Sequence, residues 1–376
     1  MLKKPPVILL SNIRWDFLWQ WTQILATMFA KAGYPTVCVE TTGITNPRFN
    51  LTTIRSMAGR LRHIGPTDEV EPDLPANLVI YSPLVAPPTY KILRRLNSGF
   101  FVPKVVRDLR QLVESEPVFI AFPPTQTTLD ILSNLPPKII WYHCVLNYEE
   151  YPRTPADIKD TEQRLLKWAD IVTVDSSFLM DKHHRTRPDI LQIESGVDFA
   201  LFHQAYSPAS KNSVHTVCFF GSMDDRRFDF ELVRQLARAN FTVRLMGTLA
   251  DPTLARFPGV DYRGQVPHAE LPAQLQDVDA LIIPYKITPF SKGTFPAKTY
   301  ECLATGKPVV ATPLPDLLRF GEHVYLANDA EDFIRVLREL PNWETPEKAN
   351  ARIALARRNS WEARFSEFER LLWRLT

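Results

Sequence analysis

The sequence predicts an α/β protein made of two Rossmann-like domains in tandem. Three observations carry this. Short β-branched runs alternate with helical patterns along the chain, and a stretch at 199–213 containing Ser, Pro and Ala interrupts the alternation once. The length of 376 residues exceeds one ordinary domain and lets each of two bury a core.

The first series of runs is VILLS (7–11), TVCVE (36–40), LVIY (78–81), VFIAF (118–122), IIWYH (139–143) and IVTVD (171–175). The second is TVCFFG (216–221), TVRLMG (242–247), ALIIPY (280–285), PVVAT (308–312) and VYLA (324–327). Runs this short and this uniformly apolar read as parallel strands covered on both faces. The expected division is therefore 1–200, 214–345, and a helical tail at 346–376 with apolar residues at 361, 365, 368, 371, 372 and 375 that need a packing partner. Ligands of open α/β sheets bind outside the carboxyl ends of the strands, so two such domains facing each other are expected to form a cleft.

Composition narrows the function. A formal net charge of +2 argues against a protein dominated by nucleic-acid binding. Cys38, Cys144, Cys218 and Cys302 are scattered within or beside apolar segments and form no CxxC pair, so they read as buried thiols rather than a disulfide or zinc framework. The apolar stretch after MLKKPP is four residues long, and no later run approaches the ~20 residues of a spanning helix. The expected location is cytoplasmic. Neither GxGxxG nor GxxxxGK[ST] occurs.

The stretch PFSKGTFPAKTYECLATGKPVV (289–310) reads as loop, helix and strand. Pro296 suits the first helical turn, Thr294 is a candidate N-cap, and Gly306 suits the left-handed position past the helix end. A loop and helix N-terminus can seat phosphate, and a carboxylate one to two turns in, Glu301, can accept from a sugar diol. The alternative is a solvated Glu301 paired with Lys298 at i,i+3.

The segment PAKTYECLATGKPVVAT resembles the P-x-K-x-[FY]-E-Y-L-A-x-G-K-P-V-V signature of bacterial GT-B glycosyltransferases, the group that includes the teichuronic-acid biosynthesis glycosyltransferase and related cell-surface polysaccharide enzymes. Further matches follow in family order: WDFLWQWTQILATMFAKAGYPTVCVE (15–40), ADIVTVDSSFL (169–179), SGVDFALF (195–202), GSMDDRRFDFELVRQLA (221–237) and GQVPHAELPAQLQDVDALIIPY (264–285). The resemblance implies a GT-B fold with the acceptor mostly in the N-terminal domain, a UDP- or GDP-sugar donor mostly in the C-terminal domain, and a C-terminal helix crossing back. It implies hexosyl transfer to a glycan, lipid-linked in cell-surface polysaccharide synthesis. A nucleotide-sugar epimerase on the same fold and a catalytically degenerate glycan-binding scaffold are the alternatives.

By the same resemblance, Glu301 matches the glutamate that binds the donor ribose. Gly221 and then Arg226 or Arg227 lie where relatives hold the donor diphosphate, unless the arginines are surface partners of Asp224, Asp225 or Asp229. Ser291, Lys292, Gly293 and Thr294 would present N–H groups to phosphate or sugar, with Lys298 as a second counter-charge or a solvated lysine. Relatives often read Y-D-x-x-D where this chain has Tyr142, His143, Cys144, Val145 and Leu146, and they tend to carry Arg where this chain has Trp21. His143 is then either a catalytic imidazole or a structural one. Asn12, Arg14, Trp15 and Asp16 remain candidates for the acceptor side, with Asp16 the acid among them. Retention is the expected outcome because the C-terminal motif resembles retaining families, although an inverting relative, the xanthan glucuronosyltransferase, shows that the fold does not decide it.

Asp277-Val-Asp279 imitates a DxD metal motif but precedes a strand rather than ending one, so no obligatory metal is expected. Finally, 88–113 carries Lys91, Arg94, Arg95, Lys104, Arg107 and Arg110 against Asp108, with Tyr90, Phe100 and Phe101 interleaved. This suggests peripheral docking to the anionic inner face of the cytoplasmic membrane. The alternative has Ile92, Leu93 and Leu96 facing the core and the cations merely solvated.

Overall fold

A computed structural model describes residues 4–16, 19–40, 65–66, 74–86, 90–151, 154–207 and 213–375. The chain folds as two compact units. The first holds the described residues up to Asp175 together with Leu179–Gln192 and, at the chain end, Arg374 and Leu375, and the second holds Ser176–Phe178 and Ile193–Trp373.

The first unit is built on one sheet. Its strands are β1 (Val7–Leu10), β2 (Thr36–Val39), β3 (Gly65–Pro66), β4 (Leu78–Ser82), β5 (Val118–Ala121), β6 (Ile139–Cys144), β7 (Ile171–Val174) and β8 (Leu191–Gln192). Their order is β3-β4-β2-β1-β5-β6-β7-β8, parallel except where β3 meets β4. β1, β2, β5, β6 and β7 are buried along their whole length, as strands with helices on both faces must be. β1 pairs with β2 on one side (Leu10 with Val39) and β5 on the other (Leu10 with Ala121), so the order reverses beside β1. The helices are α1 (Trp21–Lys31), α2 (Lys91–Leu96), α3 (Val102–Leu112), α4 (Gln126–Asn134), α5 (Ile158–Trp168) and α6 (Ser177–His184), with a π-helical turn at Asn97–Phe101 joining α2 to α3.

The second unit carries β9 (Thr216–Phe220), β10 (Thr242–Met246), β11 (Val260–Tyr262), β12 (Ala280–Ile283), β13 (Val309–Ala311) and β14 (Tyr325–Leu326). Their order is β11-β10-β9-β12-β13-β14, all parallel. Its helices are α7 (Phe199–Phe202), α8 (Phe230–Arg238), α9 (Leu271–Leu275), α10 (Pro289–Lys292), α11 (Lys298–Ala304), α12 (Pro315–Leu318), α13 (Ala330–Trp343), α14 (Pro346–Arg358) and α15 (Trp361–Trp373). Phe219, Phe228, Leu245, Leu281, Leu303, Val310, Phe333 and Leu337 are core residues here, each worth roughly 1.5–3 kcal/mol of burial.

The end of α11 shows why its sequence reads ATGKP. Gly306 has φ +71°, and a Cβ there would sit 2.8 Å from Tyr206 Cδ2. Its carbonyl accepts from Arg352 Nε (3.1 Å) and Nη2 (2.9 Å), and the buried Arg352 also pairs with Glu344. α14 is thereby tied to α11. Within the tail's apolar stripe Phe365, Phe368 and Leu372 are buried, and Trp361 N donates to Val197 O at 3.1 Å. Of the remaining stripe positions, Leu375 is exposed.

Candidate functional site

In the second sheet the strand order reverses between β9 and β12, the place where open α/β sheets bind ligands. The loops leaving these two strands are joined. Phe228 bridges Tyr285, Asp229 N donates to Pro284 O (2.9 Å), and Lys286 N donates to Arg227 O (2.6 Å). The floor is backbone. Gly221 has φ +123° and Gly247 φ +129°, and a Cβ on Gly247 would lie 1.9 Å from Gly221 O.

Lys298, from the first turn of α11, reaches across this floor. A Cβ on Gly221 would lie 3.3 Å from Lys298 Cε and 3.4 Å from Nζ. Its ammonium donates to Tyr285 Oη at 2.5 Å and lies 4.7 and 5.0 Å from the Phe219 and Tyr285 ring centroids. Arg226 and Arg227 come from the opposite loop and share the Asp224 carboxylate, Arg226 Nε to Oδ1 at 3.2 Å and Arg227 Nη2 to Oδ2 at 3.0 Å. Both guanidiniums also sit over the Phe290 ring, at 5.3 and 6.0 Å, and Arg227 lies 5.8 Å from the Tyr285 ring. Burial works against the Asp224 charge, but Arg227 and Arg226 outweigh it and hold the carboxyl below its usual range. Lys298 and Arg227 thus meet at one buried tyrosine, and Arg226 joins Arg227 at Asp224 and Phe290. Tyr285 and Phe290 were not singled out in the sequence as site residues.

Glu301 stands one turn beyond Lys298 with its side chain 23% exposed, and its Oε1 faces His268 Nε2 at 3.3 Å. Lys298 and Glu301 therefore do not form the i,i+3 pair that their spacing allows; each has another partner. Burial lowers the His268 pKa, but the hydrogen bond and charge of Glu301, with a smaller contribution from Asp198, raise it overall. His268 escaped sequence reading, although it stands in the segment GQVPHAEL that carried the resemblance.

Two local expectations need correction. The amides at 291–294 are not an open anion seat. Ser291 N donates to Thr288 Oγ1 (3.1 Å), Lys292 N to Thr288 O (3.0 Å), Gly293 N to Phe290 O (3.2 Å) and Thr294 N to Ser291 O (3.3 Å). The cause is α10, which Thr288 and Ser291 cap reciprocally. Thr294 is also not the N-cap of α11: its hydroxyl donates to Phe290 O (3.2 Å), and Ala297 holds the cap position. Asp277 binds Arg244 (2.5 Å), and Asp279 Oδ2 accepts from His215 N (2.7 Å) and Thr216 N (2.8 Å), so both carboxylates of the imitation motif anchor secondary structure.

In the first unit Asp16 lies in the loop leaving β1, again beside the reversal of strand order. It is exposed and paired with Arg14, Nη2 to Oδ2 at 2.6 Å. Glu40 Oε1 accepts from Trp15 N (2.7 Å), which fastens that loop. His143 is fully buried. Its Nδ1 meets Thr173 Oγ1 at 2.8 Å, its ring lies 4.5 Å from Trp21 and 5.4 Å from Phe122, and burial lowers its pKa to about 3. A neutral imidazole enclosed by aromatic rings matches the structural reading of His143 and leaves it no exposed face for acid–base work. All four cysteines are buried and free.

Fold and site together define a class. Two Rossmann-like domains of parallel strands alternating with helices are the GT-B architecture, and residues 214–342 match the family described as glycosyl transferases group 1. The second unit thus contains a segment similar to group 1 glycosyltransferases. Among curated proteins, the chain is 29% identical over 233 residues to TuaH of Bacillus subtilis (strain 168), described as a teichuronic acid biosynthesis glycosyltransferase. The match spans 56% of this chain and 58% of that protein. Among solved structures, the chain is similar to sucrose-phosphate synthase from Thermosynechococcus elongatus (TM-score 0.68, 16% identity, 99% of each chain). It is also similar to a glycosyltransferase from Rickettsia africae ESF-5 (TM-score 0.67, 12% identity, 99% and 98% of the two chains). A third likeness is to Anabaena HepE in complex with UDP (TM-score 0.67, 14% identity, 98% and 99%). At these identities the structural likeness speaks for the fold.

Proposed function

We propose that the protein transfers a hexosyl group from a nucleoside-diphosphate sugar to a glycan acceptor in cell-surface polysaccharide synthesis. The observation that carries this is the convergence of Lys298, Arg226 and Arg227 at the carboxyl ends of β9 and β12, with Glu301 one turn further along α11. A diphosphate fits the cations, and a ribose diol fits the carboxylate at that remove. As the glycosidic bond to the donor breaks, its electron pair and negative charge pass to the β-phosphate. Fixed cations then stabilise the transition state more than the ground state. Protein cations in this role make a divalent ion at the diphosphate unnecessary. The acceptor side falls to the first unit, where Asp16 stands at the corresponding reversal of strand order.

A lipid-linked acceptor at the inner membrane face is supported by α2, the π-turn and α3. Ile92 is 75% exposed and Phe100 65%, with Tyr90 and Leu96 also outward, so the alternative that turned Ile92 and Leu96 into the core does not describe this surface. Lys91, Arg95 and Lys104 are exposed beside them, whereas Arg94 pairs with Asp157 (3.0 Å) and Arg110 donates to Asn134 O (2.6 Å). Pro88, where the basic stretch was drawn to begin, lies outside the described residues. No helix among the described residues is long and apolar enough to cross a membrane, so the proposed attachment is peripheral.

Thermal-shift titration with UDP, GDP, ADP and dTDP tests the donor reading. A nucleotide at 100 times its Kd adds about 2.7 kcal/mol of stability. No shift with any of the four would overturn it. For the surface, sedimentation with anionic but not neutral vesicles, weakened by salt and by Arg95→Ser with Lys104→Ser, is expected. Equal recovery with both vesicle types would remove the membrane role.

A further inference from the structure

We propose that Cys144, Glu162 and His183 form a structural zinc site inside the first unit. The three come from the end of β6, the middle of α5 and the end of α6, and all are buried. One ligand atom from each lies within 4.8 Å of the others. Cys144 Sγ and His183 Nε2 are each 3.7 Å from Glu162 Oε1. Zinc at about 2.3 Å from sulfur and about 2.0–2.2 Å from nitrogen and oxygen, with tetrahedral angles, separates its ligands by about 3.4–3.6 Å. The two spacings to Glu162 Oε1 are therefore close to those of a zinc coordination shell, and the third pair lies within 4.8 Å.

Satisfaction of hydrogen bonds points the same way. Neither ring nitrogen of His183 has a hydrogen-bond partner among the described residues, and Glu162 Oε2 has none either. Leaving such groups dry and unmatched is costly, and an ion bound through His183 Nε2 removes that cost there. Cys144 Sγ, Glu162 Oε1 and His183 Nε2 fill three positions, and a water molecule would fill the fourth. A thiolate, an imidazole and a carboxylate form a mixed set suited to zinc rather than to magnesium or calcium.

The surroundings supply support. Tyr142 Oη donates to Glu162 Oε1 at 2.7 Å and orients the carboxylate. Lys182 Nζ lies 3.7 Å from Glu162 Oε2 and is balanced by Glu149 at 3.0 Å and by Asn147 Oδ1 at 2.8 Å. On binding, the Cys144 thiol gives its proton to solvent, the sulfur pair goes to the metal, and the histidine lone pair fills a second position; no redox change occurs. The ion would clamp the carboxyl end of β6 to α5 and α6.

The full-length chain should be produced in zinc-supplemented medium, passed over a chelating resin and analysed for metal. About one zinc per chain is expected, falling below about 0.2 in Cys144→Ala and in His183→Gln, with folding of each checked by circular dichroism. Cobalt(II) loading of the wild-type chain should give a thiolate-to-cobalt charge-transfer band that survives Cys218→Ala but not Cys144→Ala. Zinc stripping should lower Tm, and zinc but not magnesium should restore it. Less than about 0.1 zinc per folded wild-type chain, after both supplemented expression and refolding in excess zinc, would overturn the proposal, as would a cobalt spectrum without a thiolate band. The wild-type readings decide the matter even if a variant does not fold.

Discussion

Replacing Glu301 by Ala should separate ligand binding from folding. The side chain is partly exposed, and its partner among the described residues is His268 at 3.3 Å, itself 41% exposed. A pair of that kind contributes about 0–1 kcal/mol, and alanine returns a few tenths through helix propensity, so stability should change by less than about 1 kcal/mol. Binding should change far more. Hydrogen bonds from a ribose diol to a charged carboxylate are worth about 1.5–3 kcal/mol, equivalent to a loss of about 10- to 150-fold in Kd. Calorimetric titration of the best-binding nucleoside diphosphate, with thermal unfolding of the same samples, measures both. Glu301→Gln keeps the shape and should lose part of the effect. Unchanged nucleotide affinity in Glu301→Ala, or a loss of affinity matched by unfolding, would refute the assignment.

Four other substitutions probe the second unit. Arg227→Ala should lower kcat by about 10- to 100-fold while shifting donor Kd by less, because charge on the diphosphate grows during the reaction; equal losses in both would make Arg227 a ground-state anchor. The raised pKa of His268 means that its pair with Glu301 is fully formed below about pH 6.5, the ordinary imidazole value, and is lost as pH rises through the raised folded value. Donor affinity should therefore improve across that interval as Glu301 is released, and His268→Gln should abolish the step; a step that persists in the variant belongs to another group. Gly247→Ala should cost about 2–6 kcal/mol, since strain at φ +129° adds to a contact at 1.9 Å with Gly221 O. Gly264→Ala, with φ +69° and open space around the added carbon, should cost about 1–2 kcal/mol in the same denaturation experiment.

The strands that position the site were legible because parallel strands covered on both faces must be continuously apolar, and a run such as IIWYH has few other uses. β3, β8 and β11 passed unnoticed because two or three residues hold too few positions for a pattern. α10 did leave a signal: Thr288-Pro289 followed by Ser291 is an N-cap, a first-turn proline and a reciprocal capping residue, and it predicts consumed rather than available amides. His268 could be found only by knowing that its turn comes to rest against α11. The Cys144, Glu162 and His183 cluster has no spacing motif, since eighteen and twenty-one residues separate ligands on three elements. Among the cations of 91–110, sequence could not separate Arg94, which holds Asp157, from exposed neighbours such as Arg95.

The central claim is that the second unit binds and activates a nucleotide-sugar donor. It is tested most directly by following nucleoside diphosphate released from a panel of UDP-, GDP-, ADP- and dTDP-sugars by the full-length chain, alongside Lys298→Ala. The account predicts release from at least one donor, slow with water and faster with a glycan acceptor, and falling at least about tenfold without the Lys298 ammonium. Release from none of the donors while the chain is folded, or turnover indifferent to Lys298, would contradict it.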